Sequence, residues 1–220
     1  MNEVTRGAHA RILYLHGFRS SPRSFKARLV QERMAANGRA GDLICPQLPA
    51  SPKAAMELAL LLAERHAPDN LAIVGSSLGG FYATWLAERL GVRAVLLNPA
   101  VDPLKDLEQH VGTTTAWHSG EPFEFRPEYI AELAELTVAR ITRPERYFLI
   151  ASTGDEVLDY RDMVAHYAGA RQHVIEGSDH AISEFPQYVD EVLAFCQPNG
   201  KPNGEPHVDW SAAAQASAAR

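Results

Sequence analysis

Residues 70 to 90 read NLAIVGSSLGGFYATWLAERL. A hydrophobic strand, LAIVG, turns directly into a helical pattern, FYATWLAERL, through a junction built from glycine and serine. Both residues are poor choices for the interior of either element, so the junction is an ordinary connection or a place where backbone geometry serves chemistry. Gly75, Ser77 and Gly79 fit the spacing GxSxG across this strand-to-helix turn, the setting a nucleophile elbow requires. A turn that sharp forces the central residue into a strained conformation and lifts its side chain clear of the sheet edge. Ser77 is the residue so placed, and Gly75 and Gly79 have a steric reason to be glycine, because strand and helix backbones close on each other there. The helix also aims its first amides at the same spot, which favours an anion above Ser77. The plain alternative is a turn in which Ser76 or Ser77 merely caps the helix.

On either side of this junction, short apolar runs recur: RILYLHG from Arg11, DLICPQL from Asp42, RAVLLNPA from Arg93, RYFLIAS from Arg146 and RQHVIEGS from Arg171. With LAIVGSS from Leu71 they predict a sheet of about six strands buried on both faces. Helical patterns alternate with them: SPRSFKARLVQERMAANG, SPKAAMELALLLAERH, LGGFYATWLAERLG, DYRDMVAHYAG and ISEFPQYVDEVLAFC. Such alternation implies an α/β fold, a mainly parallel sheet with helices on both faces. Residues 102–145 form the one long interruption, with a helix expected near Glu128 to Arg140, and read as a short lid insertion. Residues 1–196 are expected to form a single domain and 197–220, rich in Pro, Gly, Asn and Ala, a disordered tail.

The net charge of -6 and pI near 5.8 speak against a nucleic-acid partner, which usually meets a concentrated basic face. Two cysteines far apart, Cys45 and Cys196, read as buried reduced thiols and suggest a cytoplasmic protein. The start of the chain has no apolar stretch of signal-peptide length, and no run approaches the roughly 18 apolar residues of a spanning helix, so no membrane insertion is expected. Zinc, nucleotide-phosphate and dinucleotide motifs are all missing from the sequence, and no cofactor or metal is expected.

A serine hydroxyl is a weak nucleophile unless a histidine accepts its proton, and that histidine needs a carboxylate to orient it. In a hydrolase of this architecture the acid and base follow the serine on loops after later strands. His173, His180 and His207 follow RYFLIAS and its helix; His173 lies within the last strand and His207 in the tail, which leaves His180 in EGSDHAIS as the candidate base. His110 and His118, in the insertion, are weaker contenders. For the acid, STGDEVLDY offers Asp155, Glu156 and Asp159; Asp155 stands closest to the strand end, Asp159 suits a helix cap, and Asp102 is the alternative acid position. The backbone amides of Phe18, after the first strand, and Leu78, after the nucleophile, are the expected oxyanion donors. His16 is expected to shape that first loop.

Together LYLHGF, GSSLGG, TGDEVLDY and GSDHA resemble the α/β-hydrolase superfamily and, within it, the small bacterial YqiA/YcfP-like esterases, over about residues 10 to 196. The resemblance implies a Ser77, Asp155, His180 triad and hydrolysis of carboxyl esters of small or medium acyl groups through an acyl-enzyme. The chain departs from larger members in lacking an antiparallel strand pair before RILYLHG and a full cap domain. The expected partner is a small-molecule acyl ester or thioester. Phe18, Phe81, Trp117, Phe123, Phe125 and Tyr129 are candidates to line an apolar acyl pocket, with core packing as their other use. A thioesterase or acyltransferase would use the same three residues, and a binding module with a vestigial elbow is the reading from a different class.

Overall fold

The computed structural model describes residues 9–117 and 119–198. Most of the expected tail, together with His118 and His207, lies outside the described residues.

The strands are β1 (Arg11–Leu15), β2 (Leu43–Ile44), β3 (Leu71–Ser76), β4 (Arg93–Leu97), β5 (Gly112–Thr115), β6 (Pro122–Phe125), β7 (Tyr147–Ser152) and β8 (Arg171–Ile175). Six of them form one sheet in the order β2-β1-β3-β4-β7-β8, every neighbouring pair parallel. The helices are α1 (Phe25–Ala36), α2 (Pro52–Ala63), α3 (Leu78–Leu90), α4 (Pro103–Leu107), α5 (Glu128–Glu135), α6 (Tyr160–His166) and α7 (Val189–Phe195).

Alternate residues of the central strands feed two separate cores, as side-chain alternation along a strand requires. Leu13, Ile73, Leu96 and Leu149 pack with Met56 of α2, Leu86 of α3 and Met163 of α6. Ile12, Val74, Val95 and Ile150 pack on the opposite side with Val30 of α1 and Val192 of α7. The sheet is therefore covered on both faces. Among the described residues no helix is long and apolar enough to cross a membrane.

Two outer strands depart from the doubly buried pattern. β2 is two residues long and only partly buried. β8 is the far edge, and along Arg171–Ile175 only Ile175 is buried, in keeping with the Arg, Gln and His that precede it. Within the insertion, β5 and β6 form an antiparallel hairpin that the sequence reading left undivided. α5 ends at Glu135 rather than near Arg140, where the β-branched pair Thr137 and Val138 follows. The last helix starts at Val189, well after Ile182, because Ile182 has a positive φ of 53° and Pro186 sits in a separate single turn, Phe185–Gln187. The insertion is pinned back to the body by Glu132, whose Oε2 accepts from the Ser51 hydroxyl at 2.7 Å and from the Lys53 amide at 3.0 Å, at the start of α2.

Candidate active site

The β3–α3 junction has the strained geometry that its composition suggests. Ser77 has φ 56° and ψ −124°, off the allowed regions for an ordinary L-residue, and its side chain makes no cap bond to α3. The strain is held by neighbours: the Ser77 amide donates to the Leu97 carbonyl at 3.1 Å, and the Ser77 carbonyl accepts from Gly80 at 2.8 Å and Ala100 at 3.1 Å. A Cβ on Gly75 would stand 2.2 Å from the Gly79 carbonyl oxygen, and one on Gly79 would stand 2.0 Å from that of Leu15. No side chain fits either space, so the two glycines are what lets strand, turn and helix close together. Leu78 is the first residue of α3, and its amide therefore has no partner inside the helix. Phe18 follows β1 on the adjoining loop, whose Gly17 is packed so close that a Cβ there would stand 3.1 Å from the Ser77 Cβ.

Asp155 and His180 emerge from the loops after neighbouring strands β7 and β8. His180 Nδ1 lies 2.8 Å from Asp155 Oδ2 and 3.0 Å from Oδ1. The Asp155 side chain is fully buried, and its Oδ1 also accepts from the amides of Val157 at 2.8 Å and Leu158 at 2.9 Å. These amides fix the orientation of the carboxylate. A carboxylate on Nδ1 holds the imidazole with Nε2 free to take or give a proton.

Three further residues hold the His180 backbone. Its amide donates to Glu156 Oε2 at 3.0 Å. Its carbonyl accepts from Lys26 Nζ at 3.0 Å and from Asn98 Nδ2 at 3.2 Å. Asn98, wholly buried at the end of β4, also donates to the Asp179 carbonyl at 3.1 Å and accepts from the Ser152 amide at 2.8 Å. It thus ties the strand beside Ser77 to the ends of the two strands whose loops carry Asp155 and His180. Burial lowers the Lys26 pKa to about 8, against the opposing pull of Asp155, Asp179 and Glu156.

Ser77, Leu78, Phe18 and His180 open into one cavity of about 670 Å³, lined also by Leu107, His110, Trp117 and Leu158. Asp106 lies on the same wall, and burial, then the charge of Asp102, raises its carboxyl pKa. Of the aromatic residues expected to line a pocket, Phe18 and Trp117 reach this cavity. Phe81 and Phe125 are core residues, 5% and 1% exposed, and Phe123 and Tyr129 line a separate cavity of about 400 Å³ beyond the hairpin. Phe18 is the partition, meeting Phe123 and Phe125 edge-on at 5.2 and 5.1 Å between ring centroids.

The other candidates have ordinary tasks. Asp159 caps α6, accepting from the Arg161 amide at 2.9 Å. Asp102 occupies the N-cap position of α4 without a side-chain cap bond. His173 stacks edge-on with Tyr188 at 4.7 Å and lies near Glu191. His16 accepts from the Leu48 amide through Nε2 at 3.1 Å, with Nδ1 3.0 Å from the Gly17 carbonyl, and so shapes the loop that carries Phe18. Cys196 is buried and Cys45 half-buried, and burial pushes their thiols up to about 12 and about 11. Lys26 and Asn98 are the residues that the sequence reading missed. The available signal for Lys26 was a charge on the apolar stripe of a helix, beside Ala27, Val30 and Met34.

A parallel sheet flanked by helices, with a serine on a strained strand-to-helix elbow and an aspartate–histidine pair at the ends of later strands, defines the α/β-hydrolase fold. The esterase domain of a Rhodothermus marinus protein superposes with a TM-score of 0.62 at 18% identity, covering 90% of this chain and 91% of that one. Est1E from Butyrivibrio proteoclasticus, solved with ferulic acid bound, superposes with a TM-score of 0.62 at 15% identity over 84% and 86% of the two chains. Alpha/beta hydrolase domain-containing protein 10 from mouse gives 0.60 at 18% identity over 83% and 88%. At these identities the likeness is one of fold. Residues 11–197 match the uncharacterised protein family UPF0227, and the chain belongs to it.

Proposed function

We propose that the protein is a serine hydrolase that cleaves carboxyl esters of small or medium acyl groups through an acyl-enzyme. The observation that carries this reading is the 2.8 Å contact between His180 Nδ1 and a fully buried Asp155, with His180 and strained Ser77 lining the same cavity. Ser77 Oγ attacks the acyl carbon while His180 Nε2 takes its proton, and Asp155 stabilises the imidazolium that results. The Phe18 and Leu78 amides receive the developing oxyanion, each donor lowering the barrier by about 3 kcal/mol. Collapse of the tetrahedral intermediate expels the alcohol with the proton from His180; water then attacks the acyl-serine by the same steps in reverse. The cavity's apolar wall, with Leu107, Trp117 and Leu158, suits an acyl chain.

A fluorophosphonate probe tests this directly. The wild-type chain is expected to label covalently and Ser77→Ala not at all, with p-nitrophenyl ester turnover lost in parallel. A folded wild type that remains unlabelled would exclude the reading. Turnover of graded p-nitrophenyl and CoA esters then separates ester from thioester preference.

A further inference from the structure

Helix α1 lays Ala27, Val30 and Met34 against the sheet, and Lys26 lies on that same buried side. Taking an ammonium out of water is costly unless it is paired, so a lysine only 8% exposed demands a reason beyond packing. Its Nζ reaches the His180 carbonyl at 3.0 Å. The charged groups facing it are Asp155 and Glu156 from the loop after β7 and Asp179 from the loop after β8. Lys26, Ser77 and His180 also line one small cavity of about 200 Å³.

We propose that Lys26 is a positioning residue of the hydrolytic site: its ammonium grips the His180 carbonyl, balances the carboxylates around it and so holds the imidazole where it serves Ser77. This inference rests on the hydrolase reading above. Glu156 and Asn98 hold the same backbone, but the Lys26 donor loses its charge close to neutrality, at a pKa of about 8. Protonated, it makes a charge-assisted bond, about twice as strong as a neutral one. Deprotonated, it donates weakly and leaves Asp155, Asp179 and Glu156 without their counterion. The sign follows: function that needs the charged form persists below a pH of about 8 and declines as pH rises through that value. Arginine keeps both donor and charge over this whole range, whereas methionine fills similar space with neither.

The test follows the fluorophosphonate labelling rate of the full chain from about pH 6 to about pH 10 in wild type, Lys26→Arg and Lys26→Met, with folding checked by circular dichroism. At neutral pH, Lys26→Met is expected to label about 10- to 100-fold more slowly, with kcat for an ester falling and KM nearly unchanged. Lys26→Arg should stay within about threefold of wild type at neutral pH and keep its rate at about pH 9, where wild type has dropped about tenfold. Two results would overturn the inference while leaving the hydrolase reading intact: Lys26→Met labelling as fast as wild type, or Lys26→Arg declining with the wild-type midpoint. Should Lys26→Met fail to fold, the arginine profile alone decides. A wild type that never labels overturns both.

Discussion

The turn from β3 into α3 and the segment between β4 and β7 face each other across the same cavity, yet they are built differently. At the turn, backbone meets backbone: the space beside Gly79 ends 2.0 Å away at the Leu15 carbonyl oxygen, and Asn98 bonds the neighbouring strand to the loops of Asp155 and His180. Across the cavity, an exposed side-chain contact takes the place of that close backbone packing. Trp117 is 66% exposed, with the Arg19 guanidinium 4.2 Å from its ring centroid, and that guanidinium is held by the Thr115 carbonyl at 2.7 Å. The turn is fixed by sterics and buried polar pairing, the facing segment by an exposed aromatic contact of the kind worth about 0.5–1 kcal/mol. Mutations should therefore divide by side.

The sharpest break is Gly79→Ala. A methyl group there has no room, and since its neighbours are backbone atoms of β1 rather than a flexible side chain, β1 or α3 must move. We expect a loss of at least about 3 kcal/mol in urea denaturation and no fluorophosphonate labelling. Near wild-type stability with labelling intact would show that the turn is softer than its packing implies.

Asn98→Ala ranks next. It removes donors to the Asp179 and His180 carbonyls and the acceptor for the Ser152 amide, and in a wholly buried place the Ser152 amide stays unpaired. The expected cost is about 2–3 kcal/mol. Labelling should slow by about tenfold, because the His180 carbonyl then hangs on Lys26 alone. Stability lost without any change in labelling rate would make Asn98 a support of the sheet and nothing more.

The same contrast governs what the sequence alone could disclose. Gly75, Ser77 and Gly79 were legible because they fall in one short pattern at a strand-to-helix turn: the atoms a Gly75 side chain would strike belong to Gly79 and Ala83, and the spacing marks Gly79 although what it would strike is Leu15 of β1. Asp155 and His180 could be reached from their order along alternating strands. Lys26 and Asn98 could not, since a lysine on a helix and an asparagine after a strand acquire meaning only once the His180 carbonyl is folded between them. The insertion was the least legible part. PFEF alternates like a strand but GTTT does not, and the connection 116–121 is longer than the usual hairpin loop, so the hairpin was hidden. Phe81 and Phe125 looked like pocket residues because aromatic content does not say which way a side chain turns.

Trp117→Ala probes the permissive side and should have the smallest effect on the fold. The ring is mostly in solvent, and its contact with Arg19 is worth about 0.5–1 kcal/mol at such a site. We expect stability within about 1 kcal/mol of wild type. Turnover of short acyl esters should stay within about threefold, because Ser77, His180 and Asp155 keep every backbone and side-chain bond described above. Longer p-nitrophenyl esters should lose about 1–2 kcal/mol of transition-state binding, since a longer chain reaches the cavity wall that Trp117 forms and finds water there instead. The measurement is kcat/KM across acyl lengths. A uniform loss at every length would mean that Trp117 acts on the chemistry through the loop of Phe18, to which it is joined by the hydrogen bond its backbone N–H donates to the Arg19 carbonyl at 2.9 Å, and the two sides of the cavity would then be one unit.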